Sequence, residues 1–253
     1  MTTVAILLTV HNRKAKTLAC LEQVFAQVGL GNTTLDIYVT NDGCTDGTLE
    51  AIKERFPTVE VIQGDGSLYW NRGMYKAWDK AASTKEYDFF LWLNDDTLLH
   101  EEAICSLLSD YEKVKTPSLI CGATKSAYTG SITYSGRRKQ EDTLTIPNGE
   151  PQRCEIINGN AVLVPNRIYK DVGNLDWAFR HAIGDFDYGL RAQKAGFPCC
   201  VSSEVIGVCE PNPKLPNWCL PEISLKNRIR NLYSPLGYAE PIPFFIYEKR
   251  HFG

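Results

Sequence analysis

At 253 residues and 28.4 kDa, with 43% hydrophobic and 23% charged residues, the chain suits one large globular domain or a domain with an elaborated second half. A formal net charge of −3 gives no general field for nucleic acid, although a local basic patch for a phosphate ligand remains compatible with it. Nine Cys, an odd number without CxxC spacing and with one adjacent pair, Cys199-Cys200, argue for reduced thiols packed as small hydrophobes rather than a disulfide framework or zinc site.

The opening "MTTVAILLTVHNR" has an apolar run too short to span a membrane and no basic leader before it, so it reads as a first strand, Val4 to Val10. No later stretch approaches a transmembrane helix, which predicts a cytoplasmic protein with peripheral association at the inner face of the cell membrane left open. Leu18, Leu21, Phe25 and Val28 follow at helical spacing. "LDIYVT" (35–40) reads as a strand, "TLEAIKERF" as a helix closed by Pro57, "VEVI" (59–62) as a strand, and Met74, Ala77, Trp78 and Ala81 as one face of a helix. "YDFFLWL" (87–93) is a fourth strand. This alternation predicts a parallel α/β sheet. Further on, 117–126, 131–136 and 155–165 read as strands, 136–153 as a polar loop, 185–195 as a helix and "FPCCVSSEVIGV" as a strand. The tail after Pro211 is rich in proline and carries a basic cluster, Lys226, Arg228 and Arg230.

Ligands of open parallel sheets bind beyond the carboxyl ends of the strands. Three polar clusters fall there: "TVHNR" (9–13), "NDGCTDGT" (41–48) and "NDD" (94–96). Each alone is an ordinary turn; three on one rim suggest a site. Neither GxGxxG nor GxxxxGK[ST] occurs, so a phosphate group on this rim needs another counter-charge, for which a divalent cation on carboxylate is the natural candidate.

In that order and spacing, "VAILLTVHNR", "IYVTNDGCTDGT", "SLYWNRGMYKAW" and "FLWLNDDT" resemble the family 2 glycosyltransferases, and "INGNAVLVP" and "HAIGDFDYGLRAQKAGF" match that family's acceptor-side region, over roughly residues 3 to 210. The similarity is to bacterial surface-polysaccharide and rhamnosyltransferase-like members. It implies a single Rossmann-like nucleotide-diphospho-sugar transferase domain, the A-type glycosyltransferase fold, with a mixed central sheet. Residues 1–100 would bind the donor, 101–215 the acceptor side, and 216–253 would form a C-terminal extension; the stop two residues after His251 leaves truncation open. The implied activity is inverting transfer of a sugar from a nucleotide-diphosphate donor to a hydroxyl of a glycan or lipid-linked glycan.

The resemblance assigns Mg²⁺ or Mn²⁺ to Asp96, sets Asn94 toward the ribose, and leaves Asp95 between metal contact and a supporting role. Thr9, His11 and Arg13 would line the first loop, with Arg13 facing the diphosphate and His11 held structurally. Asn41 and Asp42 would hold base and ribose, with Asp46 capping a helix. Asn71 and Arg72 are donor-site candidates, and Trp70 either underlies the sugar or fills the core. Asp185 is the implied general base, while Asp187 and Arg191, four apart, suit a helix ion pair. Asn158, Gly159, Asn160 and His181 are candidates for sugar hydroxyls or acceptor, and His251 for a late His near the metal. Asn41, Asn94 and Gly184 each replace a carboxylate of the fuller family pattern, which keeps a non-catalytic nucleotide- or carbohydrate-binding homologue as the alternative. A sugar nucleotidyltransferase would want glycines after the first strand that "VHNRKAKT" lacks.

Overall fold

A computed structural model describes residues 1–138, 143–211, 215–237 and 240–253. The first half runs β1 (Thr2–Val10), α1 (Lys14–Phe25), β2 (Thr33–Asn41), α2 (Thr48–Arg55), β3 (Glu60–Gln63), α3 (Tyr69–Thr84) and β4 (Phe89–Leu93). β1 pairs in parallel with β2 on one side and β4 on the other, and β2 in parallel with β3. The second half adds β5 (Leu98–Leu99), α4 (Ala103–Val114), β6 (Leu119–Lys125), β7 (Ile132–Tyr134), β8 (Arg137–Arg138), β9 (Thr143–Leu144), β10 (Gln152–Cys154), β11 (Ala161–Pro165), α5 (Asn166–Val172), α6 (Gly184–Lys194), β12 (Cys199–Val208), α7 (Leu225–Leu232) and α8 (Pro241–His251).

The main sheet runs β10-β12-β6-β11-β4-β1-β2-β3, with β5 and β7 joined to β12 and β6. It is mixed, as expected, because β11 lies antiparallel to both β4 and β6. Side chains of β1 alternate across the sheet: Val4, Ile6 and Leu8 face Cys20, Leu21 and Ile52 of α1 and α2, whereas Ala5 and Leu7 join the core of α3 and α6. Trp78 anchors that second face, 5.4 Å from each of Phe90, Trp92 and Tyr188 by ring centroid. Such aromatic pairs add about 0.5–1.5 kcal/mol each beyond their buried area.

Several expectations are corrected. Only Ala161–Pro165 of 155–165 is strand; Glu155 N and Ile156 N bond the Arg137 carbonyl in an isolated bridge, and after them Gly159 N bonds the side chain of Asp185 and Asn160 N that of Asn158. The segment 136–153, in its described part, carries the β8–β9 hairpin and β10 rather than loop alone; 139–142 lie outside the described residues. α4, α5, α7 and α8 were not legible from the pattern. All nine thiols are free, six of them buried, as the reading of reduced Cys requires. Among the described residues no helix is long and apolar enough to cross a membrane.

Candidate active site

β1, β2 and β4 are parallel, so Val10, Asn41 and Leu93 end on one edge, and the chain runs from β1 through β2 and β3 on one side before crossing to β4 on the other. That is the switch-point geometry that opens a crevice above strand ends. The three polar clusters meet there.

The first loop is tied to the second. His11 Nδ1 lies 2.6 Å from the Asp42 carbonyl, which can only accept, so Nδ1 carries the proton and the ring is held as expected. Asp46 accepts from Lys14 N at 2.9 Å and Thr48 N at 3.1 Å, gripping the starts of both α1 and α2; the Thr48 hydroxyl and those amides lower its pKa. The expected helix-start role of Asp46 therefore holds. Thr9 lies beneath the rim, its hydroxyl where a Cβ on Gly73 would come within 2.0 Å.

Asn41 and Asp42, expected toward base and ribose, are engaged by the chain itself. Asn41 Oδ1 accepts Cys44 N at 3.1 Å, and its Nδ2 donates to Gln63. Asp42 is buried and accepts amides from Gly66 at 2.8 Å, Leu68 at 3.3 Å and Tyr69 at 2.9 Å, so it shapes the entry to α3.

At the tip of β4 the three residues separate into different roles. Asn94 Oδ1 accepts Trp70 Nε1 at 2.6 Å, and its Nδ2 donates to Asn160 Oδ1 at 2.8 Å. Asn94 thus works as a neutral bridge rather than as a group free to meet a ribose. Its amide supplies a donor that Asp lacks, which accounts for Asn at this position. Asp95 is buried, accepts Thr17 Oγ1 at 3.0 Å and pairs with Arg13 at 3.1 Å. Burial pushes its carboxyl up to about 6 against the pull of Arg13. Asp96 remains at the surface, with Oδ2 2.6 Å from Arg13 and 3.5 Å from Lys16. Arg13 therefore straddles both carboxylates instead of standing free.

The fuller carboxylate at Asn94 can be tested. Asn94→Asp removes the donor to Asn160 and adds a third negative charge beside Asp95 and Asp96. A loss of about 1–3 kcal/mol is expected in urea unfolding at pH 8, with the loss shrinking in acid.

Asp185 sits in the first turn of α6, behind Ile183, whose φ of 59° turns the chain into the helix. Its Oδ2 accepts Gly159 N at 2.8 Å and its Oδ1 accepts Phe186 N at 2.9 Å. Desolvation outweighs those amides and raises the carboxyl to about 6. Gly159 is obligatory here: a Cβ would lie 2.6 Å from the Trp70 ring and 3.2 Å from Asp185 Cβ. Trp70 consequently joins the Asn94–Asn160 bridge to the turn that holds Asp185. The missing Glu before Asp185 also has a cause, since any Cβ on residue 184 would stand 1.9 Å from Asn71 Oδ1.

Asn71 and Arg72, expected at the donor, bind the 176–180 loop. Asn71 is fully buried and donates to the carbonyls of Asp176 at 2.8 Å and Phe179 at 3.0 Å; Arg72 Nε reaches Trp177 O at 2.9 Å and its guanidinium stacks on that indole. His181 follows on the same loop, edge-on to Tyr69, where desolvation by the surrounding chain and the charge of Arg13 lower its pKa. Asn158 accepts Asn160 N at 3.1 Å, which shapes the turn. His251 bonds Asp187 Oδ1 at 2.9 Å instead of joining Asp96.

Among the described residues no three His, Cys, Asp or Glu side chains gather as a metal cage. Asp96 nonetheless offers a hard, half-exposed carboxylate, and Mg²⁺-type ions bind through one or two carboxylates with waters and substrate phosphates supplying the rest. The donor set fits that mode. Two neighbours escaped the sequence reading. Lys16 is three residues after Arg13, a spacing that could have flagged it; Cys209, with Sγ 3.8 Å from Asp96 Oδ1, carries no local signal.

A family model described as "Glycosyl transferase family 2" matches residues 5–165. Comparison with curated proteins finds no match. Among solved structures, S. aureus TarS 1-349 superposes with a TM-score of 0.61 at 13% identity, over 83% of this chain and 60% of that one. Its complex with UDP-GlcNAc gives 0.63 at 13%, over 92% and 64%. Mannosyltransferase PcManGT from Pyrobaculum calidifontis, in complex with GDP-Man and Mn2+, gives 0.60 at 14%, over 84% and 57%. The chain thus spans about 60% of the length of these neighbours, and at such identities the likeness is one of fold.

Proposed function

The chain belongs to glycosyl transferase family 2, and from that premise we propose that it is an inverting enzyme. It moves a sugar from a nucleotide-diphosphate donor to a hydroxyl of a glycan or lipid-linked glycan, in bacterial surface-polysaccharide synthesis on the cytoplasmic side. The observation that carries this reading is the Asp185 carboxyl, fixed by two amides, raised to about 6, and joined through Gly159, Trp70 and Asn94 to the Asp95–Asp96 tip.

In this mechanism Asp185 is ionised near neutrality and more basic than a solvated Asp. It accepts the proton of the acceptor hydroxyl as that oxygen attacks the anomeric carbon opposite the diphosphate, so the configuration inverts. Asp96 would hold Mg²⁺ or Mn²⁺, which when bound would supply Lewis-acid neutralisation of the leaving diphosphate. Arg13 and Lys16, which sit on Asp96, turn their charge to the same phosphates. The Asn158–Gly159–Asn160 turn forms the floor between donor and acceptor, and His181 flanks the acceptor side. Asn71 and Arg72 position the loop that leads into α6.

The test is nucleoside-diphosphate release from UDP-, dTDP- and GDP-sugars, with and without Mn²⁺. Metal-dependent turnover of one donor is expected, together with loss of that dependence in Asp96→Asn. Absence of both turnover and metal-dependent nucleotide binding would instead favour the non-catalytic binding homologue, the reading that Asn41, Asn94 and Gly184 keep alive.

A further inference from the structure

α7 is an eight-residue helix with no buried residue. So short a helix is marginal on its own in water and depends on covering its apolar face. Here most of that face is bare, Leu232 alone being half-buried. At about 100° per residue, Leu225, Ile229 and Leu232 share one stripe, and Leu225 and Ile229 are 69% and 49% exposed. Lys226 and Arg228 border the stripe on either side, and Arg230 lies behind Lys226. On α8, Ile242 and Phe245, one turn apart, are 73% and 67% exposed. Among the described residues, eight of the fifteen exposed large hydrophobics lie within 215–252, so the apolar surface is concentrated and not scattered. Residues 216–253 hold five Lys and Arg against three Glu, in a chain whose formal net charge is −3.

We propose that α7, with the segment around α8, docks on an anionic lipid surface. Apolar side chains flanked by basic ones suit the boundary of headgroups and acyl chains, where the stems bury and the charges meet lipid phosphates. A protein partner would not by itself call for cations on both flanks of the stripe. The segment is also bolted to the loop that leads into α6 and to α6 itself, the helix that carries the proposed base. Glu240 accepts Arg180 Nε at 2.7 Å, Arg250 pairs with Asp176 at 2.6 Å and with Asp187 at 2.7 Å, and Asp187 is two residues from Asp185. Resting on the function proposed above, this docking selects a lipid-linked acceptor, delivered from the membrane to Asp185.

Co-sedimentation of the full chain with vesicles tests the docking without any turnover. Binding is expected to vesicles containing phosphatidylglycerol, falling as salt rises, with little to phosphatidylcholine alone. Lys226→Gln with Arg230→Gln should weaken the partition about thirtyfold, at about 1 kcal/mol per basic residue. Ile229→Asp should abolish it with an unchanged circular dichroism spectrum. No binding to anionic vesicles at low salt would overturn the proposal. So would equal binding to both vesicle types, or a dimer in solution that Ile229→Asp disperses, since a second copy would then cover the face. Donor release in solution reports separately on the transferase reading, so either idea can fail alone.

Discussion

Asp185→Asn is expected to lower transfer at pH 8 by about 10²–10⁴-fold, the usual contribution of a positioned general base, while leaving donor binding within a few-fold. The same substitution should make the fold more stable at that pH. A carboxyl whose folded pKa is about 6 is harder to ionise in the protein than in the unfolded chain, where it sits near 3.9. Each unit of difference is about 1.4 kcal/mol, so ionised Asp185 costs on the order of 3 kcal/mol above pH 6. Asn cannot accept both Gly159 N and Phe186 N, which takes back about 1 kcal/mol. A net gain of about 1–2 kcal/mol at pH 8 is expected in urea unfolding. The sign follows from the raised pKa: the penalty is absent below about pH 4, where Asp is neutral in both states, grows between 4 and 6, and is complete above 6. Wild-type kcat/KM should fall as pH drops through about 6. Asp95 titrates in the same range, so donor affinity, measured separately, must be removed from that limb. A variant that loses activity without any gain in stability at pH 8 would argue against a strained base at this position.

Asp187→Ala should be the most damaging single change to the fold. The carboxylate is fully buried and takes three cationic or polarised partners: Arg191 Nε at 2.8 Å, Arg250 Nη1 at 2.7 Å and His251 Nε2 at 2.9 Å. Removing one side of a buried pair leaves its partners uncompensated, typically at about 3–5 kcal/mol. Arg191 keeps the carbonyls of Val172 and Asn174, and Arg250 keeps Asp176, so the chain should still fold. Thermal and urea midpoints should drop sharply, and α8 should become the first segment cut by protease. Because α6 starts at Gly184, the loosened helix should also lower kcat with little change in KM for the donor. Arg250→Ala, which leaves Arg191 and His251 on Asp187, should cost less.

The sequence by itself determined the strand–helix alternation of the first hundred residues, the three polar rims, and the family. Apolar runs and helical spacing are local signals, and strands buried on both faces write them plainly; the helix start at Asp185 and the Asp187–Arg191 pair were legible for the same reason. What tertiary structure alone decided was the use of each polar side chain. Asn94 reads as a defective carboxylate until Trp70 and Asn160 close around it. Gly184 reads as a missing Glu until Asn71 is found 1.9 Å from where a Cβ would stand. Asn41 and Asp42 look exposed in a turn, yet their oxygens are filled by backbone amides from residues 44 to 69. His251 reads as a metal-side ligand and instead meets Asp187, 64 positions away in the chain. Hydrogen bonds and burial form between residues remote in sequence, so no spacing rule announces them; they determine which carboxylates stay charged, which are raised, and which are free to act.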